Sequence, residues 1–291
     1  MDRIAIVTGS DRGMGKETAL ALANKHYSVI MACIDIPTAN CACDEIKAAS
    51  GNSNVFVYKL DLSSIASIKQ FVQSFLQDFD RVNILINNAG IITMDYEITE
   101  DGFERIMAVN TIGPYILTKL LVPYFRLGED NRIINMSSWI HTFGKFSIAK
   151  INKYHYVKAY SVSKYAQLLI SLELADELKE KGITVNAVNP GTVRTRIMIT
   201  NIWLYDFIIN ILMAPLYIEP KEGAQTGIYV ATSDEVKDKT GNFYRKCKPV
   251  AVSKRFNNRA LRTELLQYYE TIEKSLEINR SSSRITAPAF P

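Results

Sequence analysis

Thr8-Gly9-Ser10-Asp11-Arg12-Gly13-Met14-Gly15-Lys16 closes a short apolar run, residues 4–8, and opens a segment of helical periodicity, residues 15–25. Glycines at such a turn let the backbone approach a pyrophosphate, which the free N–H groups and positive dipole end of the following helix attract. A glycine-rich turn alone is weak evidence, because glycines also mark plain turns. Its position between the first strand and the first helix strengthens the reading. The spacing is TGxxxGxG rather than the common GxGxxG.

Outward from this turn, compact β-branched runs alternate with helical patterns almost to the end of the chain. Strands are predicted at 4–8, 28–33, 55–60, 83–86, 132–136 and 184–188, each with the continuous apolarity of a strand covered on both faces. Helices are predicted at 15–25, 44–49, 65–79, 104–126 and 160–181, the last stopped by Gly182. The alternation implies right-handed βαβ crossovers and a doubly wound α/β fold, a parallel sheet with helices on both faces. No linker or repeat interrupts it. One domain is therefore expected over residues 1–280, with a C-terminal helical extension and a loose tail at 281–291.

Composition narrows the function classes. With 34 Lys+Arg against 30 Asp+Glu among 291 residues, the net charge of +4 gives no case for a nucleic-acid binder. At 47% hydrophobic residues the chain can fill a core, which excludes general disorder. Cys33, Cys41, Cys43 and Cys247 lack the spacing of a disulfide framework or a zinc site, so reduced thiols, no metal and a cytoplasmic setting are expected. No signal-peptide pattern opens the sequence. The apolar stretch 197–217 is interrupted by Asn201, Asp206, Asn210 and Pro215, so it is read as no transmembrane segment, with peripheral membrane contact left open.

The TGxxxGxG turn resembles that of the short-chain dehydrogenase/reductase family, and further motifs follow in the family's order across residues 2–231. These are Leu60-Asp61-Leu62, Asn87-Asn88-Ala89-Gly90, Asn110, Ser138, Tyr160-Ser161-Val162-Ser163-Lys164 and Pro190-Gly191-Thr192-Val193. Gly15-Lys16-Glu17-Thr18-Ala19, Asp101-Gly102-Phe103-Glu104 and Gly223-Ala224-Gln225-Thr226 resemble the retinol-dehydrogenase branch. The resemblance implies a Rossmann-type domain and an NAD(P)-dependent oxidoreductase. It places the cofactor at Gly9, Asp11, Arg12, Gly13, Met14, Gly15, Asp61, Leu62, Asn88, Ala89, Gly90, Tyr160, Lys164, Pro190, Gly191, Val193 and Thr195. Asp61 would contact the adenine.

The same resemblance favours NADP(H), with NAD(H) open. Arg12 stands where NADP-preferring relatives keep a cation for the 2′-phosphate, although it also reads as a solvated loop residue. Ile34 replaces the branch's usual arginine, and Cys33 stands where an NAD-type acid would fall. Asp35, one place further, either repels a phosphate or faces solvent.

Tyr160 and Lys164, four apart on one helix, share a face. A phenol of pKa near 10 is a poor base at neutral pH. A nearby ammonium and the positive oxidised nicotinamide would lower that pKa. By resemblance, Tyr160 is the acid/base, Lys164 also binds the nicotinamide ribose, and Ser138 orients the substrate oxygen. Asn110 would hold a water linking Lys164 to solvent. Singly, each residue has a plainer reading: a surface Tyr–Lys pair, a serine capping a turn, a satisfied helix asparagine.

The substrate end is read from the segment after Thr195, residues 192–219. Trp203 and Tyr205 there, with Trp139 and His141 behind Ser138, would line a pocket for a lipophilic alcohol or carbonyl of retinoid, steroid or prenol type. The same residues would equally form core or a dimer contact, and a homodimer through the helix carrying Tyr160 is expected from the family. Two other functions remain open, a broad carbonyl reductase of small reactive aldehydes and a non-catalytic dinucleotide-sensing protein.

Overall fold

A computed structural model of the chain describes residues 3–139, 156–193, 198–199, 218–252, 256, 260 and 263–272. The predicted alternation appears as β1 (Ile4–Thr8), α1 (Gly13–Asn24), β2 (Ser28–Cys33), α2 (Ile36–Ser50), β3 (Val55–Lys59), α3 (Ile65–Asp78) and β4 (Ile84–Asn87). A short β5 (Ile92–Thr93) precedes α4 (Arg105–Met107), a π-turn (Ala108–Ile112) and α5 (Gly113–Leu121). Then come β6 (Asn131–Met136), α6 (Tyr156–Leu178), β7 (Ile183–Asn189), β8 (Met198–Ile199), α7 (Pro220–Thr232), β9 (Phe243–Arg245) and β10 (Lys248–Val250).

The main sheet runs β10-β9-β7-β6-β4-β1-β2-β3, parallel except for the antiparallel β9–β10 hairpin. From β1 the chain winds out through β2 to β3 and then returns to β4 on the other side of β1. That reversal opens a crevice beyond the carboxyl ends of β1 and β4, where ligands bind in such sheets. Every residue of β1, β2, β4 and β6 is buried, and an apolar cluster packs on each face, as the strands' unbroken apolarity requires.

Two helices depart from expectation. Helix α2 starts at Ile36, not at residue 44: Asp35 caps it by accepting from the Thr38 N–H at 3.2 Å, and Pro37 occupies its first turn. The helix expected over 104–126 changes register at Ala108–Ile112 and tightens to a 3₁₀ turn at Val122–Tyr124. Pro114 lacks the N–H that an α-helix would offer to the Asn110 carbonyl, and the hydrogen-bond ladder shifts there. Residues Arg105–Tyr124 are long and apolar enough to cross a membrane, but they pack within the domain, between α3 and α6.

The C-terminal extension belongs to the core. Phe256 packs on Tyr165 and Tyr269 on Tyr115, each with ring centroids 4.5 Å apart, and Leu265 and Tyr269 are fully buried. The face of α6 at Tyr165 is thus covered by the same chain.

Candidate active site

The glycine turn is fastened across the crevice. Thr8 Oγ1 accepts from the Asn88 and Ala89 N–H groups at 3.0 Å, and Asn88 Nδ2 donates to the Thr8 and Gly9 carbonyls at 2.9 and 3.0 Å. Asn88 Oδ1 is left buried without a partner. A Cβ on Gly15 would lie 2.1 Å from the Gly9 carbonyl oxygen and 2.6 Å from Asn88 Nδ2, so only glycine permits the turn to fold this tightly. Arg12 at the N-cap of α1 offers no side-chain acceptor, which leaves the first N–H groups of the helix for an anion.

Below this turn lies a cavity of about 730 Å³ lined by Gly9, Asp11, Arg12, Gly13, Met14, Gly15, Asp61, Leu62, Asn88, Ala89 and Gly90. The crowded glycine and the uncapped helix start together fit a dinucleotide pyrophosphate. The cavity brings together all the cofactor residues predicted from the first three motifs.

At the rim, Arg12 is not a free loop cation. It pairs with Asp11 at 2.6 Å and with Asp35 at 3.2 Å. Asp35 therefore neither faces solvent idly nor stands alone. Hydrogen bonds from Thr38, then the Arg12 charge, hold its carboxyl below the usual range. Ile34 beside them is 52% exposed. Asp61 Oδ1 accepts from the Ser63 N–H at 2.8 Å and its hydroxyl at 2.6 Å. Arg105, ion-paired with Glu97, and Val109, Thr38 and Pro220 also line the cavity and were not anticipated. No motif spacing marks them; their placement depends on how α2, α4 and α7 pack.

The residues predicted for chemistry converge at the other end. Tyr160 receives a hydrogen bond with Ser138. Lys164 is buried, its Nζ 5.9 Å from the Tyr160 ring centre, and donates to the Met136 carbonyl at 2.7 Å and to Gln167 Oε1 at 3.1 Å. A Cβ on Gly90 would lie 3.3 Å from Asn110 Oδ1 and 3.4 Å from Lys164 Nζ, so both polar groups stand directly behind this cavity-lining glycine. The Asn110 side chain itself brackets Ile91, accepting from its N–H at 2.8 Å and donating to its carbonyl at 2.9 Å, and also donates to Ser163 Oγ at 3.0 Å. The Asn110 side chain is thus engaged with Ile91 and Ser163.

Electrostatics differ from expectation too. Burial pushes the Tyr160 phenol up to about 12, the Ser138 hydrogen bond opposing it, and burial pushes the Lys164 ammonium down to about 7. Desolvation dominates at the phenol, so in the protein alone its pKa lies above the usual value rather than below it. A stability signature follows. Lys164 is depressed from 10.5 to about 7 on folding, so between those values the unfolded chain holds the extra proton and stability rises with pH. Thermal melts of Lys164→Met should show its largest advantage over the parent below pH 7, shrinking toward pH 10. A constant difference would contradict this.

Of the other predicted residues, Pro190, Gly191 and Val193 form a turn in which Gly191 N–H donates to Asn189 Oδ1 at 3.0 Å. They are not part of the cavity wall. Val193 instead packs with Met14 around Gly223 of α7, tying this turn to the glycine turn. Trp139 is 42% exposed beside Ser138. Thr195, His141, Trp203 and Tyr205 lie outside the described residues.

Comparison with known proteins agrees with this geometry. The short chain dehydrogenase family matches residues 3–202. Retinol dehydrogenase 12 of Bos taurus is 38% identical over 88% of this chain and 81% of its own length. Retinol dehydrogenase 11 of Mus musculus is 36% identical over 90% and 84%. Among solved structures, an uncharacterized protein from Mycobacterium Paratuberculosis superposes with a TM-score of 0.74 at 28% identity, covering 94% of this chain and 93% of its own. A blue fluorescent protein from a metagenomic library, in complex with NADPH, gives 0.66 at 26%, covering 83% and 94%. The chain belongs to the short chain dehydrogenase family and is an NAD(P)-dependent oxidoreductase of alcohol and carbonyl groups related to the retinol dehydrogenases.

Proposed function

We propose that the chain transfers a hydride between NADP(H) and a lipophilic alcohol/carbonyl pair of retinoid, steroid or prenol type, with Tyr160 as acid/base. The observation carrying this reading is that Lys164 and Asn110 stand beside Gly90 of the cavity, with Tyr160 next to Lys164 and bonded to Ser138. When bound, the nicotinamide supplies the hydride acceptor or donor and, oxidised, a positive charge. Gly9–Gly15 would hold the pyrophosphate, Asp61 and Leu62 the adenine, and Lys164 the ribose beside the nicotinamide.

The protein's part is proton handling. Ser138 would orient the substrate oxygen by a hydrogen bond and stabilise its developing charge. Tyr160 Oη would take the alcohol proton in oxidation and return it in reduction. Lys164, 5.9 Å from the ring, would favour the phenolate once charged. Asn110 would hold a water on the path of the proton to solvent. Exposed Trp139, next to Ser138, and Val157, one turn before Tyr160, give the substrate end an apolar character. Extending an aldehyde series by single methylenes should raise kcat/KM stepwise, whereas a flat series would favour a reductase of small aldehydes.

Arg12 would carry the choice of NADP(H), fixed by Asp11 and Asp35 at the cavity rim. Because the guanidinium is half exposed, its phosphate contact should be worth about tenfold rather than the several-hundredfold of a buried pair. Arg12→Ala is expected to lower kcat/KM for NADPH about tenfold and leave NADH within about twofold. An equal loss for both dinucleotides would remove the 2′-phosphate assignment.

A further inference from the structure

Behind the Lys164 ammonium runs a buried polar chain that the chemistry above leaves unused. Gln167, one turn further along α6, is 1% exposed and accepts from Lys164 Nζ at 3.1 Å. Ser171 Oγ donates to the Gln167 carbonyl at 2.6 Å and accepts from Asn135 Nδ2 at 2.8 Å, and Asn135 Oδ1 accepts from Asn87 Nδ2 at 2.8 Å. This chain ties α6 to β6 and β4, and its end is the lysine.

Gln167 Nε2 is buried without a partner. Burying an unpaired amide donor is unfavourable, and an apolar side chain of similar size would avoid it. Stability alone therefore gives no reason for glutamine at this position, whereas its other amide atom meets the ammonium. An ammonium has three N–H donors. Gln167 Oε1 and the Met136 carbonyl take two, and Nζ stands beside Gly90, which lines the cavity.

We propose that Gln167 is a positioning residue, whose Oε1 seats the Lys164 ammonium behind Gly90 in its charged form and leaves one N–H for the site. The proposal rests on the reading of Lys164 as the site's cation. From its own helix, Tyr160 is the titratable group that faces Lys164. The elements packed against it, the Gly90 loop, the π-turn with Asn110 and β6 with Met136, contribute neutral groups among the described residues. The Gln167 oxygen is thus the side-chain acceptor that stabilises the charge.

The test is NMR titration of the full chain carrying [ε-¹³C]lysine, with the Lys164 resonance identified by its loss in Lys164→Met. The parent midpoint should lie at about 7. Gln167→Leu should lower it by about one unit, and Gln167→Glu, close to isosteric, should raise it by about one unit. In Gln167→Leu the acid limb of alcohol oxidation should also move to higher pH, because less ammonium is present to favour the phenolate. If the leucine variant fails to fold, the glutamate variant carries the test. A midpoint unmoved in a folded variant overturns the positioning role. Full turnover in Lys164→Met would instead overturn the assignment of Lys164 while leaving the Gln167 shift standing.

Discussion

Tyr160→Phe is expected to lower kcat about a thousandfold while leaving dinucleotide affinity within about threefold, a loss in the middle of the range for removing a general acid/base. Phenylalanine keeps the ring that lies 5.9 Å from Lys164 Nζ and removes the hydroxyl bonded to Ser138. The cavity residues from Gly9 to Gly15, with Asp61 and Asn88, are untouched by the change. Steady-state rates with retinal or a long-chain aldehyde, beside fluorescence titration of NADPH, separate the two effects. Normal turnover in the variant would end the assignment. Tight NADPH binding with no turnover by the parent on any carbonyl would favour a dinucleotide sensor instead. The pH profile gives a second handle. With the phenol at about 12 in the protein alone, alcohol oxidation needs a proton removed and should climb with pH, whereas reduction uses the protonated form.

Gly15→Ala should weaken dinucleotide binding by at least about a hundredfold and lower stability by about 2 kcal/mol, as expected for overpacking at a rigid site. The added Cβ would meet the Gly9 carbonyl at 2.1 Å, Asn88 Nδ2 at 2.6 Å and Ser10 Cα at 2.8 Å. Two of these three atoms are backbone, and the turn is held by the Gly9 N–H to Ala32 carbonyl bond of 2.8 Å. Relief requires opening the turn, which is the surface that would receive the pyrophosphate. Gly51→Ala is the control: Gly51 has φ +68° but open space around it and lies outside the cavity. Its loss should be confined to backbone strain, with affinity unchanged. Equal affinity losses at both glycines would point to global destabilisation rather than to the cradle.

The doubly wound fold was legible because strands such as Ile84–Asn87 are apolar throughout, a pattern that burial on both faces demands. The glycine turn and the Tyr160–Lys164 pair were legible for a similar reason: local spacing sets what they can do. Asp35 was legible only as open between repelling a phosphate and facing solvent, because a carboxylate after the second strand has several uses. Here it caps α2 and holds Arg12, and only the neighbouring Thr38 and Arg12 positions decide between them. The π-turn left a trace in Pro114, but a proline also permits a simple helix break. Strands Phe243–Arg245 and Lys248–Val250 are too short for periodicity to register. Gln167 and Arg105 act through tertiary reach, which no single-chain pattern encodes. The depressed Lys164 ammonium and raised Tyr160 phenol reflect how much solvent the finished fold removes.

Phe256 against Tyr165 and Tyr269 against Tyr115 also set an order of events during synthesis. The helix bearing Tyr160 and Lys164 acquires part of its apolar cover from Phe256, far downstream in the chain. A nascent chain lacking them presents tyrosines and leucines from α5 and α6 to the surroundings, and such long-range closure is slow and aggregation-prone. Emergence of Phe256 and Tyr269 thus acts as a checkpoint: α5 and α6 gain this part of their apolar cover only after it.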